Sequence, residues 1–236
     1  DEKGNTRFLS IQFRPQYQYL DQNKEVEERI YEGETPGVSY GDIAERYYTV
    51  GQYMKEVKDV SKAMAAAGDS YICDEYLNAM GSPEAESVYV LHDLNNDGIE
   101  EFFIGLKFNY DIPYYVIYDV YTWKDGRAYQ LMRGIGYRNG SCKICENGVI
   151  EDNYSGTAWD GQTLYHILPE GGIELETIDS VSSWRDGTVQ SYYHWNELID
   201  ENSLQTILEQ YQPESVTYVD CNRETIEQLR LSGIRK

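Results

Sequence analysis

Basic residues are scarce. Only 20 Lys and Arg face 41 Asp and Glu, which sets the formal net charge at −21. Phosphate recognition needs clustered Lys and Arg, so nucleic acid and anionic membranes are poor partners for this chain. Long apolar runs are missing too. No stretch of about 18 apolar residues occurs, so no transmembrane helix is expected. There is no H-E-x-x-H and no phosphate loop, which removes two well-marked routes to catalysis. Cysteine is limited to 4 residues and histidine to 3. Four cysteines allow three disulfide pairings but demand none, because a chain of this length can build its own core.

What is abundant is acid and tyrosine. The acid is spread evenly, with 20 acids and 9 bases in residues 1–100 and 21 and 11 in the remainder, so no acidic tail accounts for it. The surface suits cations and stays soluble. Tyr numbers 23 against 5 Phe. Tyr suits half-buried sheet faces with a wet edge, and also sugar- and protein-binding surfaces. The chain begins at Asp1 rather than Met, as expected of a processed or trimmed N-terminus.

Along the chain, residues 1–37 read as strands in an N-terminal arm, from the alternation of Leu9, Ile11 and Phe13. Ile43, Tyr47, Val50, Met54, Val57 and Met64 then fall at helical spacing, with Ser39 and Asp42 as a capping box and Gly68 as the stop. A second helix is expected over 70–80, ended by Gly81-Ser82-Pro83. From Ser87 the period changes to strand: Val88, Val90 and His92 lie on one face, Tyr89 and Leu91 on the other. Asp125-Gly126, Asn147-Gly148, Gly171-Gly172 and Asp186-Gly187 each separate apolar or β-branched runs, the mark of hairpins. Short helices around Leu204–Tyr211 and Ile226–Leu229 close the chain, the first capped by Asn202 or Ser203.

The segment 93–101 carries the sharpest chemical signal. Oxygen side chains stand at positions 1, 3 and 5 (Asp93, Asn95, Asp97), Gly98 at 6, the Ile99 carbonyl at 7 and Glu101 at 9. Ca²⁺ takes six to eight oxygens at about 2.3–2.6 Å, and this spacing wraps them around one ion. Three carboxylates brought together without a cation repel one another. An EF-hand needs a bidentate Glu at position 12, where Ile104 stands, and both flanks read as strands. The other reading is a plain Asn-Asp-Gly hairpin turn whose acids face solvent.

The block from Tyr89 through Asp93, Asn95, Asp97, Gly98 and Glu101 to Gly105 resembles the "Y-x-L-x-D-x-D-x-D-G-x-x-E-L-x-x-G" block of exported proteins and lipoproteins of Gram-positive gut anaerobes. That block carries a strand-flanked Ca²⁺ turn like that of FG-GAP repeats. The similarity spans roughly residues 40–212, including helices before the block, a Tyr-rich meander with Tyr118–Trp123 after it and a late helix, though only the loop is specific. It departs at Asn95 (for Asp), Phe102 (for Leu) and Glu100 (often Pro). The resemblance implies export and a cation site, but no activity.

Weaker constellations remain. Cys142-x-x-Cys145 lacks the helix a redox motif needs, and in a strand its two thiols face opposite sides. His166 and His194 lie on strands that are candidates for neighbours, as a metal or acid–base pair or as ordinary edge histidines. Trp159 with Tyr154 and Asp160, read as a turn, is a stacking site for a sugar or peptide ring. Paired carboxylates at about 5–10 Å would make a glycosidase, but 41 acids supply such pairs by chance.

The expected architecture is α+β: N-terminal helices, a curved antiparallel meander of roughly seven to nine strands and short C-terminal helices, with 1–37 an arm and 38–236 one domain. The expected function is an exported, extracellular or cell-surface-anchored binding or interaction protein, its ligand a glycan or a protein, with one structural Ca²⁺. The alternative is a carbohydrate-active hydrolase using a carboxylate pair.

Overall fold

A computed structural model describes residues 33–34, 39–67, 72–124, 126–135, 142–155, 159–168, 173–182 and 188–232. The strands expected in the 1–32 segment, and the Gly171-Gly172 and Asp186-Gly187 turns, lie outside the described residues.

The chain opens with β1 (Gly33–Glu34) and α1 (Tyr40–Val57). Ser39 caps α1 and both halves of the capping box with Asp42 are made. The periodicity predicts one helix running on to Met64. Instead Lys58 turns left-handed at φ 53° and α2 (Val60–Ala67) starts afresh, with the Asp59 carboxylate accepting from the Lys62 N–H. The apolar spacing does not register such a break, because Val57 and Val60 keep the repeat going although burial stops at Met54 and resumes only at Ala63. Next comes α3 (Asp74–Met80), with the Cys73 sulfur accepting from the Tyr76 N–H.

Two antiparallel sheets follow. Sheet A is ordered β1-β5-β4-β3-β2-β12, from β2 (Ala85–His92), β3 (Glu101–Phe108), β4 (Tyr114–Lys124), β5 (Arg127–Arg133) and β12 (Val219–Asp220). Sheet B is ordered β11-β10-β9-β8-β7-β6, from β6 (Cys142–Cys145), β7 (Val149–Ser155), β8 (Trp159–Ile167), β9 (Ile173–Ser182), β10 (Val189–His194) and β11 (Glu197–Ile199). Helices α4 (Glu201–Leu208) and α5 (Arg223–Ser232) complete the chain, and the α4 cap is Asp200. The α+β class with N-terminal helices, an antiparallel strand run and C-terminal helices is therefore what the chain adopts. The meander is folded into two stacked sheets rather than one curved one.

Three apolar layers hold the elements. Tyr47 and Tyr76 of α1 and α3, with Ile226 and Leu229 of α5, pack on Tyr89, Phe102, Ile104 and Tyr121 of sheet A. The opposite face of sheet A, through Val90, Phe103, Ile117 and Val120, meets Ile144, Ile150, Tyr165 and Ile167 of sheet B. The far face of sheet B, through Cys145, Val149, Leu164 and Ile178, is covered by Leu204 of α4. Sheet A is thus apolar on both faces, as its nearly continuous buried run in β3 shows. Chain order and layer order agree from α1 through α4, after which β12 returns to sheet A and α5 to the layer of α1.

Candidate functional site

The 93–101 loop joins β2 to β3, the strands paired from Ala85↔Phe108 to His92↔Glu101. Its turn is built from the proposed ligands. The Asp93 carboxylate accepts from the N–H of Asp97 at 3.1 Å and of Gly98 at 2.9 Å. Asn95 Oδ1 also accepts from the Asp97 N–H at 3.1 Å, and Asp97 Oδ1 accepts from Ile99 at 2.7 Å. Asn96 and Gly98 take left-handed φ of 59° and 87°, which close the bend. Each carboxylate keeps lone pairs beyond those used here.

Glu101 differs from the others because it points inward and is 1% exposed. Its carboxylate accepts from the Leu94 N–H at 3.0 Å and from the Thr122 hydroxyl at 3.0 Å. Burial pushes its pKa up to about 7; those two hydrogen bonds oppose the rise, and the charges of Asp97 and Asp93 add to it. The loop sits where several layers meet. Leu94 is in the inter-sheet core, Asn95 Nδ2 donates to the Leu168 carbonyl beyond β8, and Tyr40 of α1 donates to the Glu100 carbonyl. Gly148, in the β6–β7 turn at φ 76°, lies so close that a Cβ there would stand 3.0 Å from the Leu94 carbonyl oxygen. The donor set is all oxygen and bears three carboxylates, which fits Ca²⁺ in chemistry. Among the described residues, no three His, Cys, Asp or Glu side chains converge as a closed metal centre, so Asn95 and the Ile99 carbonyl would have to contribute.

The Trp159-Asp160-Gly161 segment is not a turn. It opens β8, with Trp159 opposite Val181 of β9 and Tyr154 opposite Gly161. An Asp-Gly pair signals a turn only where the strand ladder stops, and here the ladder runs through it. The side chains of Trp159 and Tyr154 lie outside the described residues. Among the described side chains the exposed tryptophan is Trp195, at 48%. It and Asn196 have φ of 52° and 65° and form the two-residue loop between His194 and Glu197. Both central residues at positive φ mark a type I′ turn, a place normally held by Asn or Gly, so Trp gives no turn signal in sequence.

His166 and His194 are brought together, but through a residue that sequence reasoning missed. Glu176 of β9 lies between them. Its Oε2 is 2.9 Å from His166 Nε2, its Oε1 is 2.6 Å from His194 Nε2, and Tyr211 donates its hydroxyl to Oε2 at 2.6 Å. Burial works to raise the Glu176 pKa, but the bonds from Tyr211, His194 and His166 outweigh it and hold the carboxyl below its usual range. Glu176 is buried on the face of sheet B that carries Leu164 and Ile178, and nothing local marks Tyr211, 35 residues on, as its partner. His92 pairs with Glu214 at 3.0 Å.

The remaining buried acids are dispersed. Asp119 is enclosed between α1 and sheet A; Tyr47 donates to it, and the Gly134 N–H donates at 2.9 Å. Glu151 shares its sheet face with Glu176, and the two flank Leu164 across β7, β8 and β9. All four cysteines are buried free thiols. Cys142 enters the inter-sheet core and Cys145 the layer under α4, on opposite sides as strand alternation requires. Among the described residues no helix is long and apolar enough to cross a membrane. Comparisons with protein-family models, with curated proteins and with solved structures gave no match for this chain.

Proposed function

We propose that the chain is an exported, cell-surface-associated binding or interaction module whose 93–101 loop holds one structural Ca²⁺. The observation that carries this reading is the position of the loop: acid-rich, closed on itself, and wedged where α1, sheet A and sheet B meet. A cation there relieves the repulsion among Asp93, Asp97 and Glu101 and ties three layers at one point. Asp93, Asn95 and Asp97 supply side-chain oxygens, Ile99 its carbonyl, and Glu101 the inward carboxylate. With Kd near ~10⁻⁴ M, as in extracellular modules, 1 mM Ca²⁺ adds about 1.4 kcal/mol. That magnitude suits a staple used where Ca²⁺ is millimolar, which is the physical argument for export.

The test is thermal melting with 1 mM Ca²⁺ and with chelator. For a chain of this size the expected rise is about 3–6 °C, and Asp97→Ala abolishes it. An unchanged midpoint in the wild type rejects the staple.

A carbohydrate-active hydrolase is the second reading, favoured by Glu151 and Glu176 on one face. A general acid must hold its proton near neutral pH, whereas Glu176 is held below the usual range. Oligosaccharide turnover that falls in both Glu151→Gln and Glu176→Gln would reinstate it.

A further inference from the structure

One end of sheet B gathers an unusual set of groups. His166 faces Glu174 across β8–β9, and His194 faces Glu197 across β10–β11, so both histidines, Glu174, Glu176 and Glu197 share one face. Glu174 and Glu197 are exposed, and both histidines are about a quarter exposed. Each imidazole directs Nε2 at Glu176, and neither Nδ1 has a hydrogen-bond partner among the described residues. The exposed carboxylates of Glu174 and Glu197 give the patch acceptors and negative charge. Beside it stands Trp195, with its ring 6.0 Å from that of His194 and tilted by 46°.

Trp195 is also held in a conformation that its side chain disfavours. A bulky aromatic at φ 52° is an outlier, and such strain gathers where a side chain must be presented. Asn or Gly would make this turn more readily. Nothing in the packing demands Trp, since the residue is half exposed.

We propose that Trp195 and the Glu176–His166–His194–Tyr211 cluster form a recognition site for a basic protein segment, with an Arg or Lys side chain seated on the Trp195 ring. A cation has only donors to give, and this patch supplies acceptors, carboxylates and an aromatic face. The net charge of −21 draws such a segment in and repels anionic ligands. The inference rests on the binding-module reading and names its partner class. It does not need the Ca²⁺ loop.

The experiment is fluorescence anisotropy of a labelled (Arg-Gly)₄ peptide on the full chain at 1 mM Ca²⁺ and low salt, with (Glu-Gly)₄ and maltohexaose as comparisons. The wild type is expected to bind only the basic peptide, less tightly as salt rises. Trp195→Asn keeps the turn chemistry and is expected to weaken binding about tenfold, on the scale of an aromatic anchor. Trp195→Phe retains most of it, and Glu197→Gln weakens it about threefold. Absence of peptide binding overturns the proposal. So does equal binding by Trp195→Asn, which would reduce the effect to the general acidity of the surface, and so does binding of maltohexaose in place of the peptide. The Ca²⁺ melting shift is read on the same samples. If it persists while peptide binding fails, the recognition site falls alone.

Discussion

Asp119 lends itself to a quantitative test. It is 0% exposed, beneath α1, and burial raises its pKa from 3.8 to about 6 against the hydrogen bonds from Tyr47 and the Gly134 N–H. For a carboxyl whose folded-state pKa is raised, the stability it contributes is full below the unfolded value and is lost as pH rises through the folded one. The window is therefore about pH 4 to 6.5, and a rise from 3.8 to about 6 corresponds to about 3 kcal/mol. Asp119→Asn retains an acceptor for Gly134 and a polar group for Tyr47 but cannot ionise. Urea unfolding at a series of pH values on both proteins gives the stability difference directly. Glu101, raised to about 7, acts in the same direction but is common to both proteins and cancels. Relative to the wild type, the variant should gain about 3 kcal/mol between pH 4 and pH 7. A difference that stays flat, or falls with rising pH, would show that Asp119 is comfortably ionised in the fold and refute the reasoning.

Two other substitutions test the packing. A Cβ at Gly105 in β3 would stand 2.0 Å from the Val116 carbonyl oxygen and 2.9 Å from Ile117 Cα, both backbone, so Gly105→Ala should cost about 3 kcal/mol in chemical denaturation. Tyr211→Phe removes a hydroxyl that donates to the ionised Glu176 at 2.6 Å and should cost about 1–2 kcal/mol at pH 7 by the same assay, an effect that shrinks once acid protonates Glu176.

Much of this fold was legible because period and punctuation agreed. Tyr89 and Leu91 pack toward the helices while Val90 packs toward sheet B, as alternation requires. Ser39 and Asp42 mark the start of α1 through local hydrogen bonds that sequence spacing alone specifies. The break at Lys58 was not legible, since Val57 and Val60 continue the apolar spacing through it even though neither is buried. Nor was the division of the strands into two sheets, because alternation reports which side a residue faces and not what covers that side. The loop of Asp93, Asn95, Asp97 and Glu101 could be read as a local motif, since its oxygens come from nine consecutive residues. Glu176, His166, His194 and Tyr211 meet only through β8–β9–β10 pairing and the return of the chain after α4, so no spacing rule reaches them. Trp195 escaped because a type I′ turn is normally announced by Asn or Gly, and the bulky residue at its first central position breaks that rule.

A Ca²⁺ ion held by the 93–101 loop has a defined stoichiometry and affinity. Isothermal titration of Ca²⁺ into metal-free protein, in parallel with Asp97→Ala, tests it most directly. The prediction is one site per chain with Kd near ~10⁻⁴ M, absent in the variant. No heat in the wild type up to millimolar Ca²⁺, or equal binding by Asp97→Ala, would leave the loop a plain hairpin turn and contradict the account.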